Sequence, residues 1–112
     1  MVRVMCVAAV VLGASALVGA VEQAGAVAKG EAVFVAQKCS LCHAVSGKGN
    51  KNGALDDVGT KLSAAELREW IVNPTEMTKK HNATRKPPMK SFASLAKEDV
   101  DALVAYLQTL KK

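Results

Sequence analysis

Cys39-Ser40-Leu41-Cys42-His43 sets two thiols three residues apart, with an imidazole directly after the second. This is C-x-x-C-H, the attachment pattern of haem c. Thiols at that spacing each add to one of the two haem vinyl groups, and the adjacent imidazole is positioned beneath the ring as an axial iron ligand. The competing readings each lack a component. A structural zinc site wants four ligands, and there is no second C-x-x-C or paired histidine; only His81 is left over. A plain disulfide leaves His43 without a role. A thioredoxin-like pair should follow a strand in a βαβ pattern, and none is visible.

Upstream of the motif the composition changes. Met1-Val2-Arg3 is a short basic start, the run from Val4 to Val21 carries no charge, and Ala24-Gly25-Ala26-Val27-Ala28 is a stretch of small residues. A basic start, an apolar centre and an Ala-x-Ala end describe a secretory signal peptide, cleaved after Ala28 or Ala26. The alternative is an uncleaved membrane anchor, for which the run is short and diluted by Gly13, Ser15 and Gly19. Cys6 would leave with the signal peptide. Removing 1–28 leaves one small domain, 29–112. Arg3 and Glu22 leave together, so the net charge stays at +5. Such a charge steers a small protein toward acidic docking surfaces. No basic helix stripe, aromatic platform or nucleic-acid motif accompanies it, which argues against nucleic acid.

With four aromatics (Phe34, Trp70, Phe92 and Tyr106) the short domain has little apolar mass of its own. A chain of this size needs a staple or an added apolar centre. A haem supplies one. If His43 holds one axial position, the candidates for the other are Met89, Met77 and His81. Met89 lies in Lys86-Pro87-Pro88-Met89-Lys90, where consecutive prolines impose a stiff extended backbone. A stiff loop and a thioether suit a ligand that stays on iron through both oxidation states. A gap-filling core methionine is the plain alternative. Met77 closely follows Asn73-Pro74, and His81 sits in a solvated stretch among Lys79, Lys80 and Asn82.

Three helices are predicted. The first runs from about Lys29 to Cys39. The second begins at Ser63-Ala64-Ala65-Glu66, which has capping-box spacing, shows Ala64, Leu67 and Ile71 on one face, and is stopped by Asn73-Pro74. The third runs from about Lys97 to Leu110, with Val100, Leu103, Val104, Leu107 and Leu110 on one face. Ser46–Asn52 and Asn73–Ser91 read as loops, and no strand pattern stands out. The fold class is all-α.

These residues resemble a class I cytochrome c over nearly all of 29–112. The resemblance implies N- and C-terminal helices that cross, with the haem enclosed by a middle helix and a methionine loop. Gly30 and Phe34 resemble the family's small-and-aromatic pair at the crossing, and Leu103 and Tyr106 their partners. Met89 precedes Tyr106 by a separation similar to that of the family's ligand methionine. Trp70 resembles the tryptophan that binds a haem propionate; a core aromatic on the middle helix is the equal alternative. Two departures stand out. Many relatives have Gly-Pro after the histidine, whose proline carbonyl accepts the imidazole N–H; here Gly53-Ala54-Leu55 leaves that acceptor unassigned. There is also an extra residue between Phe34 and Cys39. The resemblance implies one covalently attached haem c, iron ligation by His43 and Met89, and outer-sphere electron transfer in the bacterial periplasm with no small-molecule substrate. Lys38, Lys48, Lys51, Lys86 and Lys90 are expected on a positive docking rim for redox protein partners with acidic surfaces. The alternatives are a haem-bearing subunit of a larger respiratory or dehydrogenase complex, or a haem enzyme or ligand sensor with a labile sixth site and His81 in its distal pocket.

Overall fold

The computed structural model describes residues 15–112, with side chains from Glu22 onward. The basic start and most of the apolar centre of the proposed export signal, with Cys6, lie outside the described residues. Five helices follow one another: α1 (Ser15–Ala36), α2 (Val58–Lys61), α3 (Ala64–Val72), α4 (Pro74–Lys80) and α5 (Lys97–Gln108). Among the described residues no helix is long and apolar enough to cross a membrane.

The core forms where α1 and α3 pack on α5. Phe34, Leu67, Ile71, Phe92, Val100, Leu103, Val104, Tyr106 and Leu107 make one buried apolar cluster. The predicted face of α5 is the buried one, with Leu110 half-buried at its edge. On α3, Leu67 and Ile71 are buried, while Ala64 is exposed at the first turn. At the α1–α5 contact the two backbones come close. A Cβ on Gly30 would run into the carbonyl oxygen of Ala102 and lie 2.6 Å from Tyr106 Cβ. One turn on, the Phe34 and Tyr106 rings meet edge to face, 5.7 Å between centroids at 65°. Such a pair contributes about 1 kcal/mol beyond its area burial. Gly30 therefore packs on Ala102 and Tyr106, and Leu103 joins the core beside them. Lys29 and Asp99 span the same helices at 3.4 Å, exposed enough that screening leaves their attraction small.

Four expectations are corrected. The first helix ends at Ala36, because Lys38 adopts a left-handed φ of 57° that no helix continues through. Cys39–Leu41 then form a separate 3-10 turn. The helix also starts earlier than Lys29 and runs without a break past Ala26 and Ala28. Asn73-Pro74 does end α3, yet it also starts α4 inside the predicted second loop. Proline at a first helical position lacks only an N–H that would have had no partner there. A two-residue hairpin, β1 (Ala44–Val45) with β2 (Lys48–Gly49), interrupts the predicted absence of strands. Two-residue strands are too short for alternation to show in sequence. The predicted capping box is formed: Glu66 N–H donates to Ser63 Oγ at 3.2 Å, and Ser63 N–H to Glu66 Oε1 at 3.1 Å.

Gly30→Ala should force α1 off α5. Overpacking of this kind costs about 1–3 kcal/mol. A thermal melt followed by far-ultraviolet circular dichroism should show the midpoint fall by at least about 4 °C; an unchanged midpoint would mean that the helices do not approach this closely.

Candidate haem-attachment site

The 3-10 turn and hairpin that follow α1 present the C-x-x-C-H motif. Cys42 and His43 N–H both donate to Cys39 O, at 3.1 and 2.9 Å, which curls the motif into a tight turn. Asn50 holds that turn from the far side. Its main-chain N–H lies 3.0 Å from Ser40 O and 3.1 Å from His43 O, and its side-chain amide donates to Leu41 O at 3.2 Å. Asn50 Oδ1 also accepts from Asn52 N–H at 3.0 Å, capping the next 3-10 turn, Lys51–Gly53. One asparagine thus fixes three carbonyls of the motif. Its position in a Gly/Lys/Asn-rich loop gives no sign of this role.

His43 is half-buried and its Nδ1–H donates to Gly53 O at 2.9 Å. That bond supplies the acceptor the sequence leaves unassigned. It selects the tautomer whose Nε2 carries the free lone pair, the nitrogen a metal binds. Burial pushes the imidazole below its ordinary pKa, the Gly53 bond opposes the shift, and the Arg85 charge adds to it. The lone pair is therefore available at neutral pH.

The thiols differ. Cys39 is half-buried against the core cluster and Cys42 is exposed, both free rather than joined in a disulfide. Burial pushes the Cys39 thiol up, partly offset by a main-chain hydrogen bond and by the Lys90 charge. Lys90 follows Met89, so the methionine loop comes up to the attachment motif. Met89 itself is half-buried and packs on the same core cluster as Cys39. The end of its loop is strapped to α3: Ser91 Oγ donates to Val72 O at 2.8 Å, and Phe92 N–H donates to Ile71 O at 2.9 Å.

Met77 is buried on α4 at 6% exposure, a core position. His81 is exposed and stacks on Trp70, 5.7 Å between ring centroids at 28°. Trp70 is half-buried at the edge of α3, outside the core cluster. Lys38, Lys48, Lys51, Lys86 and Lys90 are all exposed. Among the described residues, no three His, Cys, Asp or Glu side chains gather as metal ligands.

The profile of the cytochrome c family matches residues 27–111. The chain belongs to the cytochrome c family. It is a class I c-type cytochrome, a family of covalently bound haem c and haem-based electron transfer. The donor set agrees with that group: two free thiols, an imidazole with Nε2 available, and a half-buried thioether. The chain is also similar to cytochrome c oxidase subunit 2 of Alkalihalophilus pseudofirmus, 33% identical over 92 residues. That match covers 74% of this chain but only 25% of the oxidase subunit. No solved structure matches the chain significantly.

Before haem is attached, Cys42 should alkylate severalfold faster than Cys39 at pH 8, read by peptide mass spectrometry after brief iodoacetamide treatment. Cys39 holds its proton to higher pH, so the gap should narrow as the pH rises through 9. Equal rates at pH 8 would contradict the burial of Cys39.

Proposed function

We propose that the protein is an exported electron carrier holding one haem c, bound through Cys39 and Cys42 and ligated axially by His43 and Met89. The observation that carries this reading is the Nδ1–H bond from His43 to Gly53 O, which leaves Nε2 as the coordinating nitrogen. When bound there, haem supplies reversible one-electron exchange at iron. The chain's residues set the terms of that exchange. A thioether from Met89 and the apolar wall behind Cys39 both favour the reduced form and raise the potential. With His43 and Met89 both holding the iron, the protein would leave no place on it for a substrate, and the role would be electron transfer rather than catalysis.

The fold proposed for the loaded protein is the class I arrangement, with α1 and α5 crossing and α3 and the methionine loop closing over the haem. Trp70 is the proposed donor to a propionate, although its ring is stacked on His81 here. The exposed lysines 38, 48, 51, 86 and 90 form the positive rim for an acidic redox partner, worth more in association rate than in affinity. The compartment is the periplasm, reached through a leader cleaved after Ala28 or Ala26.

A second reading, a haem-bearing subunit of a larger respiratory complex, is favoured by the likeness to an oxidase subunit. It is favoured also by Val35 and Leu41, both 70% exposed on either side of Cys39. Apolar side chains left in water beside the site fit a permanent interface.

In the oxidised protein matured with a haem c assembly system, thioether ligation should give its weak long-wavelength absorbance band. Met89→Ala should abolish that band, and cyanide should then bind readily at neutral pH. If the band survives in Met89→Ala, the ligand lies elsewhere. Co-purification as a stable complex would favour the subunit reading over a free carrier.

A further inference from the structure

Gly53 has a second neighbour besides the imidazole. A Cβ placed there would run into the carbonyl oxygen of Cys42 and into Arg85 Nη1, with the guanidinium carbon 2.9 Å away. Arg85 therefore reaches across to the residue whose carbonyl orients His43, and its guanidinium end comes against the bare Cα there. Arg85 belongs to the other loop of the site. It is four residues before Met89, in the exposed stretch between α4 and the Ser91–Phe92 strap. That stretch has few other ties. At its start Ala83 N–H donates to Thr78 O at 3.0 Å, and at its end the strap begins at Ser91.

We propose that Arg85 is a positioning residue that clamps the methionine loop onto the His43 loop and places a fixed positive charge beside the haem ligands. The inference rests on the haem reading above, though the clamp itself is a contact between two protein loops.

Two consequences follow from the geometry. A guanidinium seated on Gly53 restrains the loop that carries Met89, so the thioether returns to its place after each excursion. A planar guanidinium suits this, because its pre-organised fork loses less freedom in holding one place than a flexible ammonium does. The second consequence is electrostatic. Arg85 stands beside Gly53, whose carbonyl accepts the His43 Nδ1–H at 2.9 Å, so its positive charge is held next to the proposed ligand imidazole. A fixed positive charge there opposes the extra positive charge of oxidised iron and raises the reduction potential.

The test uses the full chain with Arg85→Gln and Arg85→Lys. In the haem-loaded protein, Arg85→Gln should lower the midpoint potential in a spectroelectrochemical titration. It should also speed displacement of Met89 by added imidazole about five- to tenfold, the loss of one charged contact. Arg85→Lys should restore the potential, since the charge returns, but leave imidazole displacement fast. In the haem-free chain, Arg85→Gln should accelerate hydrogen exchange at the Gly53 amide, which donates to Asn50 O. A wild-type potential and wild-type imidazole kinetics in Arg85→Gln would overturn the proposal. So would unchanged Gly53 exchange, with or without haem. Failure of the wild type to attach haem would defeat the haem reading instead, and the Gly53 exchange would still decide the clamp.

Discussion

The contact between Gly30 on α1 and the Ala102–Tyr106 turn of α5 governs the rest of the molecule. It brings the two ends of the domain together, and every element that builds the site is hung between them. Because Gly30 has no side chain, the α1 backbone reaches the α5 carbonyl surface directly. The Phe34–Tyr106 ring pair then fixes the angle of approach one turn later. Cys39 lies shortly after Phe34, so the placement of α1 is also the placement of the attachment motif. α3 joins the same core on α5 through Leu67 and Ile71, and its C-terminal carbonyls receive the strap that holds the methionine loop. A small core thus positions both loops of the site without enclosing either one.

Much of this is legible in the residues. The C-x-x-C-H motif states its chemistry in three uncommon residues, the period of α5 marks its buried face, and Ser63 with Glu66 announces the start of α3. These signals are local, and local chemistry decides them. The hydrogen bonds that set the site are of another kind. Asn50 and Gly53 act largely through main-chain atoms on parts of the motif well separated from them along the chain, and no side-chain pattern encodes such a bond. The αL turn at Lys38 is hidden because a non-glycine residue gives little sign of positive φ. Helix α4 is hidden because Pro74 marks a stop as readily as a start.

The His43 N–H finds its acceptor without the proline that the class I resemblance leads one to expect. The carbonyl is that of Gly53, held by a 3-10 turn that Asn50 caps. The requirement is a carbonyl at hydrogen-bond distance in a stiff backbone, and proline is only one way to stiffen it. The bare Cα of Gly53 also meets the guanidinium end of Arg85, and a Cβ there would run into the fixed carbonyl oxygen of Cys42.

The central claim is that one haem is joined covalently through Cys39 and Cys42. Intact-protein mass spectrometry after maturation with a haem c assembly system tests it most directly. The wild-type chain should gain the mass of one haem and keep it through acid–acetone extraction, while the Cys39→Ala/Cys42→Ala double variant should gain none. A wild-type chain that stays at its unmodified mass, or releases its haem on extraction, would contradict the account.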